Sequence, residues 1–144
     1  MNVLGVDFGK KRIGIATGDT VTRMAFPLRT VDGTDAVRAI EEILTIAKEE
    51  ACECVVVGVP RPLPKADGVE RKNVEAEALA FVEAIRAKTK LPVEIEDERF
   101  SSRMADRWRE LSETKKKNFN RDASAAAAIL ESYLERTQKK DGDI

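Results

Sequence analysis

The chain reads as a single α/β domain, a five-stranded mixed sheet with helices on both faces. Three features predict this. The opening stretch alternates with period two and doubles back at a glycine turn, as an antiparallel hairpin does. Helical and extended patterns then take turns, which calls for strands joined by crossover helices. Finally, Cys54 to Val59 is a continuous apolar run, as expected of a strand covered on both faces. With 144 residues, 42% apolar and 35% charged, the chain has room for one real core under a heavily charged surface.

In residues 2–8, Val3, Gly5 and Asp7 point one way and Leu4, Val6 and Phe8 the other. Gly9-Lys10-Lys11 makes the turn. Arg12 to Thr17 is a second strand, with Ile13 and Ile15 on one side and the small Gly14 and Ala16 on the other. A third strand spans about Ala25 to Val31. Pro27 within it cannot donate a ladder hydrogen bond, so this strand belongs at a sheet edge. Asp32-Gly33-Thr34 is turn and cap chemistry ahead of a helix whose Val37, Ile40, Ile43, Leu44 and Ala47 are predicted to face the core.

After the Cys54–Val59 strand, Pro60 to Gly68 carries three prolines and reads as a long loop, where binding residues tend to sit. A second helix follows, with Val74, Ala78, Phe81, Val82 and Ile85 on one face. Leu91 to Glu96 returns as a strand ending at Asp97-Glu98-Arg99. Ser101 and Ser102 are suited to cap a third helix that packs Met104, Trp108 and Leu111. The last helix is predicted from near Arg121 to about Arg136, with Asp122, Ala125, Ala126, Ile129 and Tyr133 on one stripe. Residues 138–144 read as a polar, frayed tail, which leaves 1–137 as the domain.

The chain contains no histidine, which removes Ser-His-Asp triads, Cys-His pairs and HExxH zinc sites. Cys52 and Cys54 stand alone, too few for a zinc site, and are expected to pack as small apolar residues in a reducing compartment. No apolar run approaches the roughly 20 residues of a membrane span. The N-terminus lacks a secretory pattern, so no membrane partner and a cytoplasmic location are expected. The net charge of −1 is neutral on polyanionic partners, but basic residues cluster at Lys10-Lys11-Arg12 and at Lys115-Lys116-Lys117, with Arg121 close behind.

Four acids end or begin elements. Asp7 closes the first strand, Asp97 and Glu98 close the last, and Asp122 opens the alanine-rich helix. Each has an ordinary structural explanation: a turn acid, a solvated charge run, and a carboxylate favoured by the helix dipole. Together they fit another reading, in which carboxylates converge beyond the strand ends, where α/β sheets gather ligands. Oxygen donors of that kind bind divalent cations and recur in phosphodiester hydrolysis. Gly5 leaves space beside Asp7, and the alanines after Asp122 would let helix and strand approach closely. Alternation sends Asp97 and Glu98 to opposite faces, so one of the two is expected to be the ligand. Lys115–Lys117, just ahead of Asp122, could grip phosphates or form an exposed basic loop.

Val-Leu-Gly-Val-Asp-Phe-Gly-Lys-Lys-Arg-Ile-Gly-Ile-Ala (residues 3–16) resembles the opening of the YqgF/RuvX family, described as pre-16S rRNA nucleases and as Holliday-junction-resolvase-like. Val56-Val57-Gly58-Val59-Pro60, Asp97-Glu98-Arg99-Phe100-Ser101-Ser102 and Asp122-Ala123-Ser124-Ala125-Ala126 resemble its later motifs, in the same order. The chain departs from the family in its proline-rich loop after Pro60 and in Phe100-Ser101-Ser102, which keeps the hydroxyls. The resemblance implies an RNase H-like fold with Mg²⁺ or Mn²⁺ held by Asp7, Glu98 or Asp97, and Asp122. Arg99, Ser101 and Ser102 would support the site or the substrate backbone, beside Lys10, Arg12, Lys115, Lys116, Lys117 and Arg121 as nucleic-acid contacts.

The expected activity is metal-dependent endonucleolytic hydrolysis of structured nucleic acid, RNA favoured, at the 5′ end of pre-16S rRNA, by a monomer or weak homodimer. Three rivals stand beside it: a resolvase acting on branched DNA, a non-catalytic nucleic-acid-binding module of the same fold, and a sugar-kinase-like ATPase suggested by Asp7-Phe8-Gly9. The last ordinarily needs two such domains, and this chain has room for one.

Overall fold

β1 (Asn2–Asp7) pairs antiparallel with β2 (Arg12–Asp19), which pairs antiparallel with β3 (Ala25–Asp32). On its other side β1 runs parallel to β4 (Cys52–Val59), and β4 runs parallel to β5 (Val93–Asp97). The sheet order is β3-β2-β1-β4-β5, so Pro27 does sit on an edge strand. Helices α1 (Ala36–Glu49), α2 (Val69–Lys88) and α3 (Arg121–Gly142) complete the described elements. The computed structural model describes residues 1–60, 69–98 and 121–142, with side chains for 1–60, 74–98 and 121–137. The proline-rich loop after Pro60, Arg99, the helix expected after Ser101 and Ser102, and Lys115–Lys117 lie outside the described residues.

The alternation read in β1 separates two cores. Leu4 and Val6 join Ile13, Ile15, Val55, Val57 and Val59 beneath Ile40 and Ile43 of α1 and Phe81, Val82 and Ile85 of α2. Val3 joins Ala16, Cys54 and Val56 beneath Ala126, Ile129, Leu130 and Leu134 of α3. Both cysteines are buried free thiols, and burial pushes each up to about 11, as for small apolar residues removed from water. Among the described residues no helix is long and apolar enough to cross a membrane.

Two boundaries differ from the sequence pattern. Asp35 caps α1, accepting a hydrogen bond from the Arg38 N–H at 3.3 Å, while Asp32 bonds Thr34 in the preceding turn. The buried stripe of α1 is Ala39, Ile40, Ile43, Ile46 and Ala47. Val37 lies about 120° round the helix from its centre and is 62% exposed rather than packed. At the other end of the chain α3 runs on past Arg136 to Gly142. Gln138, Lys139 and Lys140 are good helix formers, no proline intervenes, and the helix stops at the next glycine.

Candidate active site

The site begins with a row of positions across the sheet. Asp7, the last residue of β1, lies opposite Gly14 on β2 and Gly58 on β4, and Gly58 lies opposite Glu96 on β5. Glycine on both sides of Asp7 removes the side chains that would hold a helix away. A Cβ at Gly14 would stand 1.8 Å from the backbone oxygen of Asp122, and one at Gly58 would stand 2.3 Å from Cδ1 of Ile129. The first turn of α3 therefore rests directly on β2 beside Asp7, with the buried Ala123, Ala126 and Ala127 continuing the contact.

The two strand-end acids of β5 separate by alternation. Glu94, Glu96 and Glu98 fall on the α3 face, where Tyr133 donates to Glu94 and Ser132 donates to Glu96. Glu98 shares a hydrogen bond with Asp7. Asp97 falls with Val93 and Ile95, which belong to the opposite core. Of the two acids left open by the sequence, Glu98 is the one that meets Asp7.

Burial, the hydrogen bond with Glu98 and the negative charges of Glu98 and Asp122 all disfavour a charged Asp7. Its carboxyl is lifted from 3.8 to about 8, with burial the largest cause. At neutral pH the cluster thus holds a proton where a cation would otherwise compensate its charge. The donors are all hard oxygens, the chemistry of Mg²⁺ or Mn²⁺ sites rather than of zinc. Among the described residues no three acidic or sulfur groups stand close enough to hold an ion without adjustment. Asp7 is bonded to Glu98, while Asp122 is held by Arg12, Nε to Oδ2, at 3.4 Å.

Of the basic residues expected near the site, Arg12 reaches it and Arg121 begins α3 with an exposed side chain. Lys10 instead pairs with Glu77 of α2 at 3.3 Å, between two exposed groups.

One cluster is not anticipated by the sequence pattern. Glu96 is 1% exposed and accepts from Ser132 Oγ at 3.0 Å and from Arg136 Nε at 3.0 Å. This anchors the second half of α3 to β5, as Gly14 seats the first. The period-two glutamates of Val93-Glu94-Ile95-Glu96 and the i, i+4 spacing of Ser132 and Arg136 are the available signals. Replacing Arg136 by Met is expected to cost about 3 kcal/mol in urea unfolding, because it strands a buried carboxylate. Arg136→Lys, which keeps a cation there, should lose less, and equal losses would show that charge is not the cause.

A family model described as "RuvX: Holliday junction resolvase" matches residues 1–136. A protein of Nitratidesulfovibrio vulgaris (strain Miyazaki F), provisionally named pre-16S rRNA nuclease, is 40% identical over 74% of this chain and 72% of its own length. One of Maridesulfovibrio salexigens with the same provisional name is 34% identical over 94% of this chain and 99% of its own. Among solved structures, T. thermophilus RuvC in complex with a Holliday junction substrate superposes with a TM-score of 0.69 at 17% identity, covering 96% of each chain. That likeness establishes the RNase H-like fold of the resolvases.

Proposed function

The chain belongs to the YqgF/RuvX family, and on that premise we propose that it is a metal-dependent endonuclease acting on structured RNA, with the 5′ end of pre-16S rRNA as its substrate. One observation carries the reading beyond family membership. Carboxylates from the end of β1, the end of β5 and the start of α3 interact at one edge of the sheet, and the interaction leaves Asp7 short of positive charge.

Asp7, Glu98 and Asp122 would hold Mg²⁺ or Mn²⁺. The ion, when bound, supplies Lewis-acid polarisation of the phosphate and a lowered pKa for water. The chain's own share follows from its residues. Asp7 must ionise before it can serve as an oxygen ligand, which requires compensation by positive charge. Glu98, bonded to Asp7, fixes the direction in which that carboxylate presents its oxygens. With no histidine in the chain, proton movement falls to carboxylates and water. Arg12 and Arg121 border the acids and would contact backbone phosphates. In this reading Arg99, Ser101 and Lys115–Lys117 add further contacts.

The test compares the wild type with Glu98→Gln on a pre-16S rRNA 5′ leader and on a four-way DNA junction, with Mg²⁺, Mn²⁺ or chelator. Cleavage of the leader that chelator abolishes and Glu98→Gln slows by about 10²–10³-fold is expected. Cleavage confined to the junction would favour the resolvase reading suggested by the family description. Turnover that survives both chelation and Glu98→Gln would remove the proposed site.

A further inference from the structure

Arg12 is fixed at its backbone and open to water at its guanidinium. Its backbone is fixed at the start of β2, paired with Asp32. The turn before it is braced from the β3–α1 connection, where the Gly33 N–H donates to the Lys11 carbonyl at 2.9 Å. Gly33 also lies so close that an added Cβ would meet the Gly9 carbonyl oxygen at 2.7 Å. The side chain, by contrast, is 72% exposed and, among the described residues, pairs with an Asp122 carboxylate that is 27% exposed. A pair so open to water is weak and easily exchanged.

Asp122 is thus contested. Its charge already acts on Asp7, and a cation held by these acids would compete with the guanidinium for the Asp122 carboxylate and repel it. A released guanidinium at this edge has a better partner in a phosphodiester, whose oxygens match its planar fork.

Resting on the nuclease reading above, we infer that Arg12 is an exchangeable counter-ion. It neutralises Asp122 while the acids hold no metal, and it turns to a substrate phosphate when they do. Metal binding and substrate binding are thereby coupled: occupation of the acidic cluster makes the Arg12 guanidinium available to the nucleic-acid backbone. Arg12 is a substrate-positioning residue whose deployment depends on the state of the site.

The experiment measures two affinities in the intact protein. Calorimetry with Mn²⁺ alone compares wild type, Arg12→Ala and Arg12→Lys. Fluorescence anisotropy with a labelled RNA hairpin follows the same proteins over a salt series, with and without Ca²⁺. Arg12→Ala should bind Mn²⁺ about threefold to fivefold more tightly, since a competing cation is gone. Arg12→Lys should stay near wild type.

With Ca²⁺ present, Arg12→Ala should bind the hairpin about tenfold more weakly, with a salt slope smaller by roughly 0.7–0.9, the value of one phosphate contact. Without a divalent ion it should bind as wild type does. A residue that only supports the fold would not tighten one ligand while weakening the other. Wild-type Mn²⁺ binding with no tightening in Arg12→Ala, or an RNA loss independent of Ca²⁺, would overturn the exchange. Failure of the wild type to bind Mn²⁺ at all would overturn the acidic site and this inference with it.

Discussion

Asp7→Asn is expected to abolish cleavage and, at the same time, to stabilise the metal-free protein at neutral pH. The two effects have one cause. In the fold the Asp7 carboxyl titrates at about 8 rather than 3.8, because it is buried beside Glu98 and Asp122. A folded-state pKa raised above its unfolded value favours folding fully below the unfolded pKa. That contribution is lost as pH rises toward the folded one. Between about pH 4 and pH 8 the wild type therefore loses stability that Asn, which never ionises, does not.

A tenfold change in proton affinity between the folded and unfolded chain corresponds to about 1.4 kcal/mol. Allowing for sharing of the proton with Glu98, a gain on the order of 2–4 kcal/mol is expected at pH 7.5 and almost none at pH 4. Thermal denaturation in chelator should show a midpoint raised by at least about 4 °C at pH 7.5. Saturating Mn²⁺ should reverse the order by stabilising the wild type alone. An Asp7→Asn protein that cuts at the wild-type rate would dispose of the site. A midpoint shift equal at both pH values would dispose of the electrostatic account.

Local pattern is enough to place the strands. Alternation in Val3-Leu4-Gly5-Val6-Asp7 assigns each residue to the face on which it is found, because a buried face on each side of the sheet leaves no freedom of register. Pro27 places β3 at an edge through the donor it lacks. The acids are legible as a set for a similar reason, since Asp7 and Asp122 end or begin elements whose periodicity is clear.

What stays hidden depends on how β5 and α3 are aligned, a matter of residues 36 to 40 positions apart. In sequence Glu96 is the end of a predicted strand, and nothing near it supplies Ser132 or Arg136. The choice between Asp97 and Glu98 is open for the same reason: alternation separates them, but only the packed helix shows which face holds Asp7. The i, i+3, i+7 spacing of Val37 with Ile40 and Leu44 groups it with the core, yet the stripe that packs is centred about 120° away and Val37 stands exposed. Adjacency groups Lys10 with Arg12, yet Lys10 lies in the turn between β1 and β2, and its side chain pairs with Glu77 of α2.

Gly14→Ala, which alters no charge and touches no proposed ligand side chain, is expected to damage the site nearly as much as removing a ligand. Its added Cβ would lie 1.8 Å from the Asp122 carbonyl oxygen, 2.3 Å from the carbonyl carbon and 3.0 Å from the Ala123 nitrogen. All three are backbone atoms, so no rotamer change relieves the contact, and the start of α3 must lift by about 1 Å. Overpacking of this kind costs about 1–3 kcal/mol. The larger consequence is geometric, because a displacement of about 1 Å at reacting groups can cost on the order of 10²-fold in rate.

Gly5→Ala is the matched control. It lies under the same helix, but its Cβ would meet the Ala126 oxygen and Leu130 Cβ at 3.1 Å, a contact that a few tenths of an ångström relieves. Its activity should stay within a few-fold of wild type. Circular dichroism would confirm that both variants retain their helices, and leader cleavage would be compared at saturating Mn²⁺. A folded Gly14→Ala protein with wild-type turnover would mean that the seat of α3 on β2 does not place Asp122 for chemistry. Equal losses in Gly14→Ala and Gly5→Ala would point to general loosening of the helix, with no special role for the row that contains Asp7.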